Sequence, residues 1–387
     1  MRKFFLSSVL GFALSFCFQN TSVAQDLMRD SVFVANLQRG IDAAYDMRFG
    51  EADRFVAELE RKYPQHPVGP FLKSLTKWWR ILSDIGDVSI DDDFHDEMTD
   101  VSKRCDRILS RNPKSYDAVL FKGMAVGFRS RLYANRSSWV RSFKYGKEAV
   151  DYVQRAAEIA PENNDYYLGW GTYDYFAAVL PTKYSAMKYA MWFLPRGSRE
   201  RGLEEIKRTF NHGSFMRAEA AYYLFQINYV YEPRYDGAKF YIGWLRQRYP
   251  NNAFYHLLSA RLDNYFARHR EAEEQFKEII QRYLRRANGY STPIAEQAYY
   301  YLSGLYLFSN RYEEARDVTT KLLMLSNKKK ASDYQIMGRL RMGMIYDVLG
   351  NREKAKEMYR MVLQQRDVQQ VHGRAKAFLQ TPYRRSS

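Results

Sequence analysis

The chain has 387 residues, of which 46% are apolar and 27% are charged, a balance that excludes a disordered or a fibrous protein. The formal net charge is +16, and tyrosine is unusually common, with 32 residues. A chain of this length can form two or three globular domains or one elongated array.

The N-terminus has the pattern of a secretory signal peptide. Two basic residues precede an uncharged, largely apolar stretch over residues 4–18, and the small residues Ser22 and Ala24 fit a cleavage site before Gln25. The apolar stretch is short for a transmembrane helix, and an uncleaved anchor is the alternative. We therefore predict a signal peptide over residues 1–24 and export to the periplasm or the secreted space.

The two cysteines limit how the fold can be held together. Cys17 lies inside the predicted signal, and the bulky Phe16 before it does not fit a lipoprotein site, so lipidation is not expected. Cleavage would leave Cys105 as the one cysteine, which permits neither an intramolecular disulfide nor a cysteine-based zinc site. Packing must therefore stabilise the fold.

Beyond residue 30 the sequence repeats one internal spacing. Near the start, Gly40, Ala52 and Pro64 lie 12 residues apart. Six later sets each have three small or largely apolar residues, the second four positions and the third seven positions after the first. Their first residues are Val101, Ala149, Ala238, Ala272, Ala315 and Ala355. In the last three sets, Ala260, Ser303 and Gly343 stand 12 residues before the first member. An ordinary helical bundle has no reason to reuse fixed offsets, so we predict a repeat protein.

This spacing of small and aromatic residues resembles the tetratricopeptide repeat (TPR) superfamily. The resemblance implies an all-α, right-handed α-solenoid of about eight TPR-like helix pairs, in which each pair buries its apolar face against its neighbours. It covers most of residues 33–367, and we predict a repeat array over residues 25–367 with a C-terminal cap and tail over residues 368–387. The predicted units lie near residues 33–64, 70–113, 116–161, 165–214, 219–250, 253–284, 296–327 and 336–367.

Three predicted insertions interrupt the earlier helix pairs, at residues 83–93, residues 133–146 and residues 177–196. The third is apolar, and its prolines bracket residues 182–194. As a helix those residues would span about 20 Å, short of the roughly 30 Å hydrocarbon core of a bilayer. We expect the third insertion to pack against the solenoid, with interfacial membrane contact and a mobile lid as the alternatives.

No catalytic or metal-binding motif stands out. The acidic run Asp91 to Glu97 could hold a cation, but three consecutive aspartates point in different directions and fit the start of a helix better. None of the six histidines forms a metal-binding pair of the HxxxH or HExxH type. We predict that the protein is not an enzyme and uses neither a cofactor nor a metal.

Basic runs interleaved with tyrosine, such as residues 281–288, could indicate nucleic-acid binding. Export argues against that partner. A solvated basic surface and attraction to anionic lipid, envelope polymers or acidic peptides remain open.

The resemblance also indicates a binding groove, because the first helix of each repeat lines the concave face in the proteins that the chain resembles. Carrying the register over places Tyr223, Arg261, Asn264, Tyr265 and Tyr300 on that face, although some of these tyrosines could instead pack between units. We predict a non-catalytic scaffold that binds a protein or peptide, expected to be acidic. The alternative is a peripheral protein that uses its basic surface and the insertion at residues 177–196 to associate with a membrane or an envelope polymer.

Overall fold

The computed structural model describes residues 26–183, 195–325 and 331–384. Within these ranges the chain is built of α-helices and has no strand, which confirms the all-α class. The first eight helices are α1 (Ser31–Tyr45), α2 (Phe49–Lys62), α3 (Val68–Ser83), α4 (Asp91–Leu109), α5 (Tyr116–Asn135), α6 (Trp139–Ile159), α7 (Tyr167–Lys183) and α8 (Arg199–His212). The others are α9 (Arg217–Gln226), α10 (Tyr235–Arg248), α11 (Ala253–Tyr265), α12 (His269–Leu284), α13 (Thr292–Phe308), α14 (Tyr312–Met324), α15 (Asp333–Val348), α16 (Arg352–Leu363) and α17 (Val371–Gln380).

Helices that are neighbours in the chain are also neighbours in space. Each odd-numbered helix packs on the even-numbered helix that follows it, and that helix packs on the next odd one. Odd-numbered helices also contact one another, as α1 does α3 and as α13 does both α11 and α15. These contacts place the odd-numbered helices on the inner side of a curved array, so the predicted helical-repeat solenoid is confirmed.

The same backbone turn recurs between the two helices of five pairs. One residue adopts a left-handed conformation with φ between 56° and 76°. The next backbone N–H then donates to a carbonyl five residues back, at 2.7–2.9 Å, which is the Schellman arrangement that ends a helix. The left-handed residues are Met47, Ser137, Ala267, Asn310 and Gly350. The repeat is therefore present in the backbone as well as in the sequence spacing.

The small residues of the repeat lie at close helix crossings, as their spacing predicts. Ala355 is fully buried, and a Cβ added to Gly343 would clash with the ring of Tyr359 on the facing helix. Most other repeat alanines are also fully buried, whereas Ala149 is only half-buried. Close approach is what lets the large rings beside these positions fill the remaining space.

The insertions take different forms. Residues 84–90 are a loop between α3 and α4. Residues 133–146 contain the same left-handed turn as the other pairs. The added residues lengthen α5 and α6 to 20 and 21 residues and do not widen the connection between them. Most of the third insertion, residues 184–194, lies outside the described residues, so its packed, membrane-bound and lid alternatives stay predictions.

The curve of the array closes on itself, which the sequence did not predict. We call the part of the array from α1 to the start of α11 the closed turn. The end of α1 meets the loop between α10 and α11, where the Asn252 side chain donates to the carbonyl of Tyr45 at 2.6 Å. The backbone N–H of Asn251 donates to Asp46 at 2.8 Å. Buried aromatic rings fill the interior of this closed turn, and they belong to Tyr45, Trp78, Trp79, Tyr249 and Tyr255.

Helix α17 covers the other end of the array by packing on α15 and α16. The fully buried carboxylate of Asp347 accepts hydrogen bonds from the Tyr359 hydroxyl and from the backbone N–H of Tyr383, each at 2.8 Å. It also pairs with Arg352 at 2.9 Å. One carboxylate thus holds the tail against the last helix pair. In the described residues, no helix is long and apolar enough to cross a membrane.

Candidate binding surface on the inner helices

The predicted groove residues all lie on inner helices, but they have different surroundings. Tyr223 of α9 is inside the closed turn, where the Arg131 guanidinium lies 5.6 Å from its ring centroid. Arg261, Asn264 and Tyr265 are on α11, outside that turn, and Tyr265 is exposed. Tyr300, the fifth, lies on α13, in the next helix pair.

Arg261 lies among tyrosines of three inner segments. Its guanidinium is 5.5 Å from the ring centroid of Tyr301 on α13, with Tyr229 and Tyr334 also close to the charge. Its Nε is buried and has no hydrogen-bond partner among the residues that the structure describes. One donor of this side chain is therefore unsatisfied in its buried position.

Arg341 of α15 lies over the ring of a tyrosine on the neighbouring helix. Its guanidinium is 3.7 Å from the ring centroid of Tyr300, and it donates to the carbonyl of Tyr300 and, at 3.0 Å, to the Ser303 hydroxyl. The local sequence makes room for the group, because a Cβ on Gly304 would lie only 3.2 Å from a guanidinium nitrogen. Burial lowers the pKa of Arg341, although an arginine remains charged at any physiological pH.

Tyrosine rings join the two arginines into one surface. The ring centroids of Tyr300 and Tyr334 are 5.4 Å apart, and those of Tyr300 and Tyr301 are 5.6 Å apart. The Tyr334 hydroxyl donates to the Gln297 side chain at 3.0 Å, and burial raises its pKa. We call Arg261, Tyr300, Tyr301, Tyr334 and Arg341 the inner Arg–Tyr surface.

The positive charge of this surface is not neutralised locally. Across the described ranges, no carboxylate lies within 4.0 Å of the Arg261 or Arg341 guanidinium. The nearest candidates in sequence are already occupied: Lys239 and Tyr235 bind Asp263, while Arg352 binds Asp347. Partly buried cations without a counter-charge are costly, and an anionic ligand would offset that cost.

In the closed turn, by contrast, the arginine on the inner face is paired with a carboxylate. There Arg131 pairs with Glu219 at 2.6 Å, and the Tyr45 hydroxyl donates to the other oxygen of that carboxylate at 2.6 Å. The Arg131 guanidinium also lies 4.8 Å from the ring of Trp78. Because this arginine is satisfied and its surroundings are filled, Tyr223 contributes to a packed interior at this point of the inner face.

Sequence reasoning missed Arg341, Tyr301 and Tyr334, because carrying the repeat register over selected only a few positions on each helix. A signal was available in the sequence of α15, where Arg339 and Arg341 interrupt an otherwise apolar run. No metal-binding group of histidine, cysteine or acidic side chains occurs in the part of the chain that the structure describes.

The chain was compared with known protein families, curated sequences and solved structures. No family model matches the chain, and no curated protein sequence does. A tetratricopeptide repeat protein from Parabacteroides merdae is similar in structure, with 12% identity and a TM-score of 0.37 over 80% of this chain and 98% of that one. Yeast Tom70 has 8% identity and a TM-score of 0.39 over 92% of this chain and 89% of its own. Human IFIT1, solved with m7Gppp-AAAA, has 12% identity and a TM-score of 0.42 over 92% and 85%.

The chain is a helical-repeat protein of TPR-like architecture. Its helix pairs, inner-helix contacts and recurring turn define this architecture.

Proposed function

We propose that this protein is a non-catalytic scaffold that binds an acidic segment of a partner protein, or an acidic peptide, on its inner Arg–Tyr surface. The observation that carries the proposal is the pair of guanidiniums, Arg261 and Arg341, held on tyrosine rings without a carboxylate partner. The two groups lie on helices of different repeat units, so a bound segment would cross the inner helices.

The chemistry of the surface suits such a ligand. Arginine presents several N–H donors in a planar fork that matches a carboxylate. Tyrosine contributes a large contact area with few rotatable bonds, and rings that are already packed lose little freedom on binding. The inner Arg–Tyr surface is therefore preorganised for an extended acidic chain.

An array of immobilised peptides of equal length, half of them rich in Asp and Glu and half in Lys and Arg, tests this function. We expect the mature chain to bind members of the acidic set. Changing Arg261→Gln or Arg341→Gln should weaken that binding about tenfold or more, because a hydrogen bond to a charged group is lost.

The matched control is Arg270→Gln, because among the described residues this exposed arginine on the outer helix α12 pairs only with its neighbour Glu274. Circular dichroism establishes that each variant is folded. Undiminished acidic-peptide binding by both inner variants, or a preference for the basic set, would contradict the proposal.

We also propose that the protein is exported and works in the periplasm or the secreted space. The charge and apolar pattern of residues 1–24 supports this proposal. Intact-mass analysis of the protein recovered from exporting cells should show a chain that begins at Gln25. Recovery of a chain that retains residues 1–24 would contradict the predicted cleavage, and recovery of the protein from the cytoplasmic fraction alone would show the export proposal to be wrong.

A further inference from the structure

Two neighbouring connections between helices form one exposed surface. It consists of the α3–α4 loop, residues 84–90, and the α5–α6 turn with the first helical residues after it, residues 135–143; we call it the α5–α6 tip. Arg136 joins its two parts, since its guanidinium pairs with Asp91 at 2.6 Å and donates to the carbonyl of Asp87 at 2.9 Å. It also donates to the carbonyl of Ile85. The tip is thus one connected surface.

Large apolar side chains are exposed together on this tip. Val140 is 86% exposed and Trp139 is 57% exposed. Ile85 and Val88 of the α3–α4 loop, which are 46% and 61% exposed, belong to the same tip. Clustered exposed apolar residues mark a surface that contacts something else.

Positive charge follows the apolar residues along α6. Arg141, Lys144 and Lys147 are exposed, and in the part of the chain described none has a carboxylate within 4.0 Å. The acidic residues of the tip are Asp84 and Asp87 on the α3–α4 loop, and Arg136 lies close to both of them while it pairs with the neighbouring Asp91. The exposed face of α6 is therefore apolar at its start and cationic over its next two turns.

We infer that the α5–α6 tip docks on an anionic lipid surface. Tryptophan is favoured at the boundary between lipid and water, and a helix face that combines apolar and basic residues binds at that depth. Each lysine or arginine near an anionic surface strengthens attachment by about fivefold. This surface is separate from the inner Arg–Tyr surface, so the inference does not depend on the proposed function.

Sedimentation of the folded mature chain with vesicles tests the inference. Phosphatidylcholine vesicles serve as the neutral surface, and equal parts of phosphatidylcholine and phosphatidylglycerol serve as the anionic one. We expect binding to the anionic vesicles that weakens as salt is raised. The double variant Trp139→Ser/Val140→Ser should bind the anionic vesicles at least about tenfold more weakly. The double variant Lys144→Gln/Lys147→Gln should also bind them more weakly.

The matched control is Leu284→Ser/Phe308→Ser, which removes two exposed apolar side chains from elsewhere in the array. Its binding should equal that of the unchanged chain, and thermal midpoints should show that all variants are folded. The fluorescence of Trp139, isolated by difference against Trp139→Phe, should shift to the blue when anionic vesicles are added.

Three results would overturn the inference. They are a lack of binding to anionic vesicles, equal binding to the two vesicle types, and a loss of affinity in the control variant as large as that in the tip variants. The first result, combined with a tip-dependent protein complex, would identify the tip as a protein-binding surface instead.

Discussion

Replacing Glu219 with alanine is expected to lower the free energy of unfolding by about 3–5 kcal/mol, because one partner of a buried ion pair is removed. The Glu219 side chain is only 4% exposed, and it accepts from both Arg131 and the Tyr45 hydroxyl. Without it, the guanidinium and the hydroxyl would lose their acceptor inside the closed turn. Urea denaturation followed by circular dichroism measures the change.

Two control variants separate this effect from a general sensitivity to charge. Glu274→Ala breaks the exposed pair with Arg270, and it should cost less than about 1 kcal/mol. The double variant Arg131→Met/Glu219→Leu should recover most of the lost stability, since it leaves no charge unpaired. If Glu219→Ala and Glu274→Ala had equal effects, the closed turn would not depend on this ion pair.

Replacing Glu205 with glutamine is expected to stabilise the protein above pH 7 and to have little effect near pH 4.5. Burial, with the nearby charge of Asp174 as a smaller cause in the same direction, raises the pKa of Glu205 from its ordinary value of 4.5 to about 7. One oxygen of Glu205 is buried without a hydrogen-bond partner among the described residues. Glu205 follows Gly202 by three residues on α8, at the point where α7 and α8 cross closely at Gly171 and Gly202.

The direction of the pH dependence follows from which state holds the proton. Between about pH 4.5 and pH 7, Glu205 is ionised in the unfolded chain but protonated in the folded one, so stability falls as the pH rises through this window. Above pH 7 the full cost is present, about 2 kcal/mol after allowance for partial exposure. Urea denaturation at several pH values should show the two curves diverging through the window, whereas parallel curves would contradict the prediction.

The parts of the fold that the sequence predicted are those fixed by local spacing. Gly343 and Ala355 lie 12 residues apart within one helix pair, so the need for a close crossing is visible in the sequence itself. The closed turn was not predictable in this way. Its contact between Tyr45 and Asn252 joins residues 207 positions apart, and no local offset encodes such a distance.

The residues of the candidate site also divide into those that local spacing predicts and those that depend on contacts between distant helices. The repeat register assigns Arg261 and Tyr300 to the first helices of their pairs, because the position of a residue in the repeat fixes its helix. It could not show that Tyr223 faces Arg131, because that contact depends on how α5 and α9 meet across the array. The role of Arg341 likewise depends on Tyr300 in the preceding pair.

The closed turn changes how this chain can reach its native state. In an open repeat array, each unit contacts only its neighbours, so folding can begin anywhere and spread along the chain. Here α1 finds part of its native contact surface in residues that are synthesised about 200 positions later. Loop closure over that length must precede the contacts that reward it, which slows folding. The first helix pairs therefore remain incomplete until α11 has emerged, and the N-terminal half and the middle of the chain should acquire their final stability together.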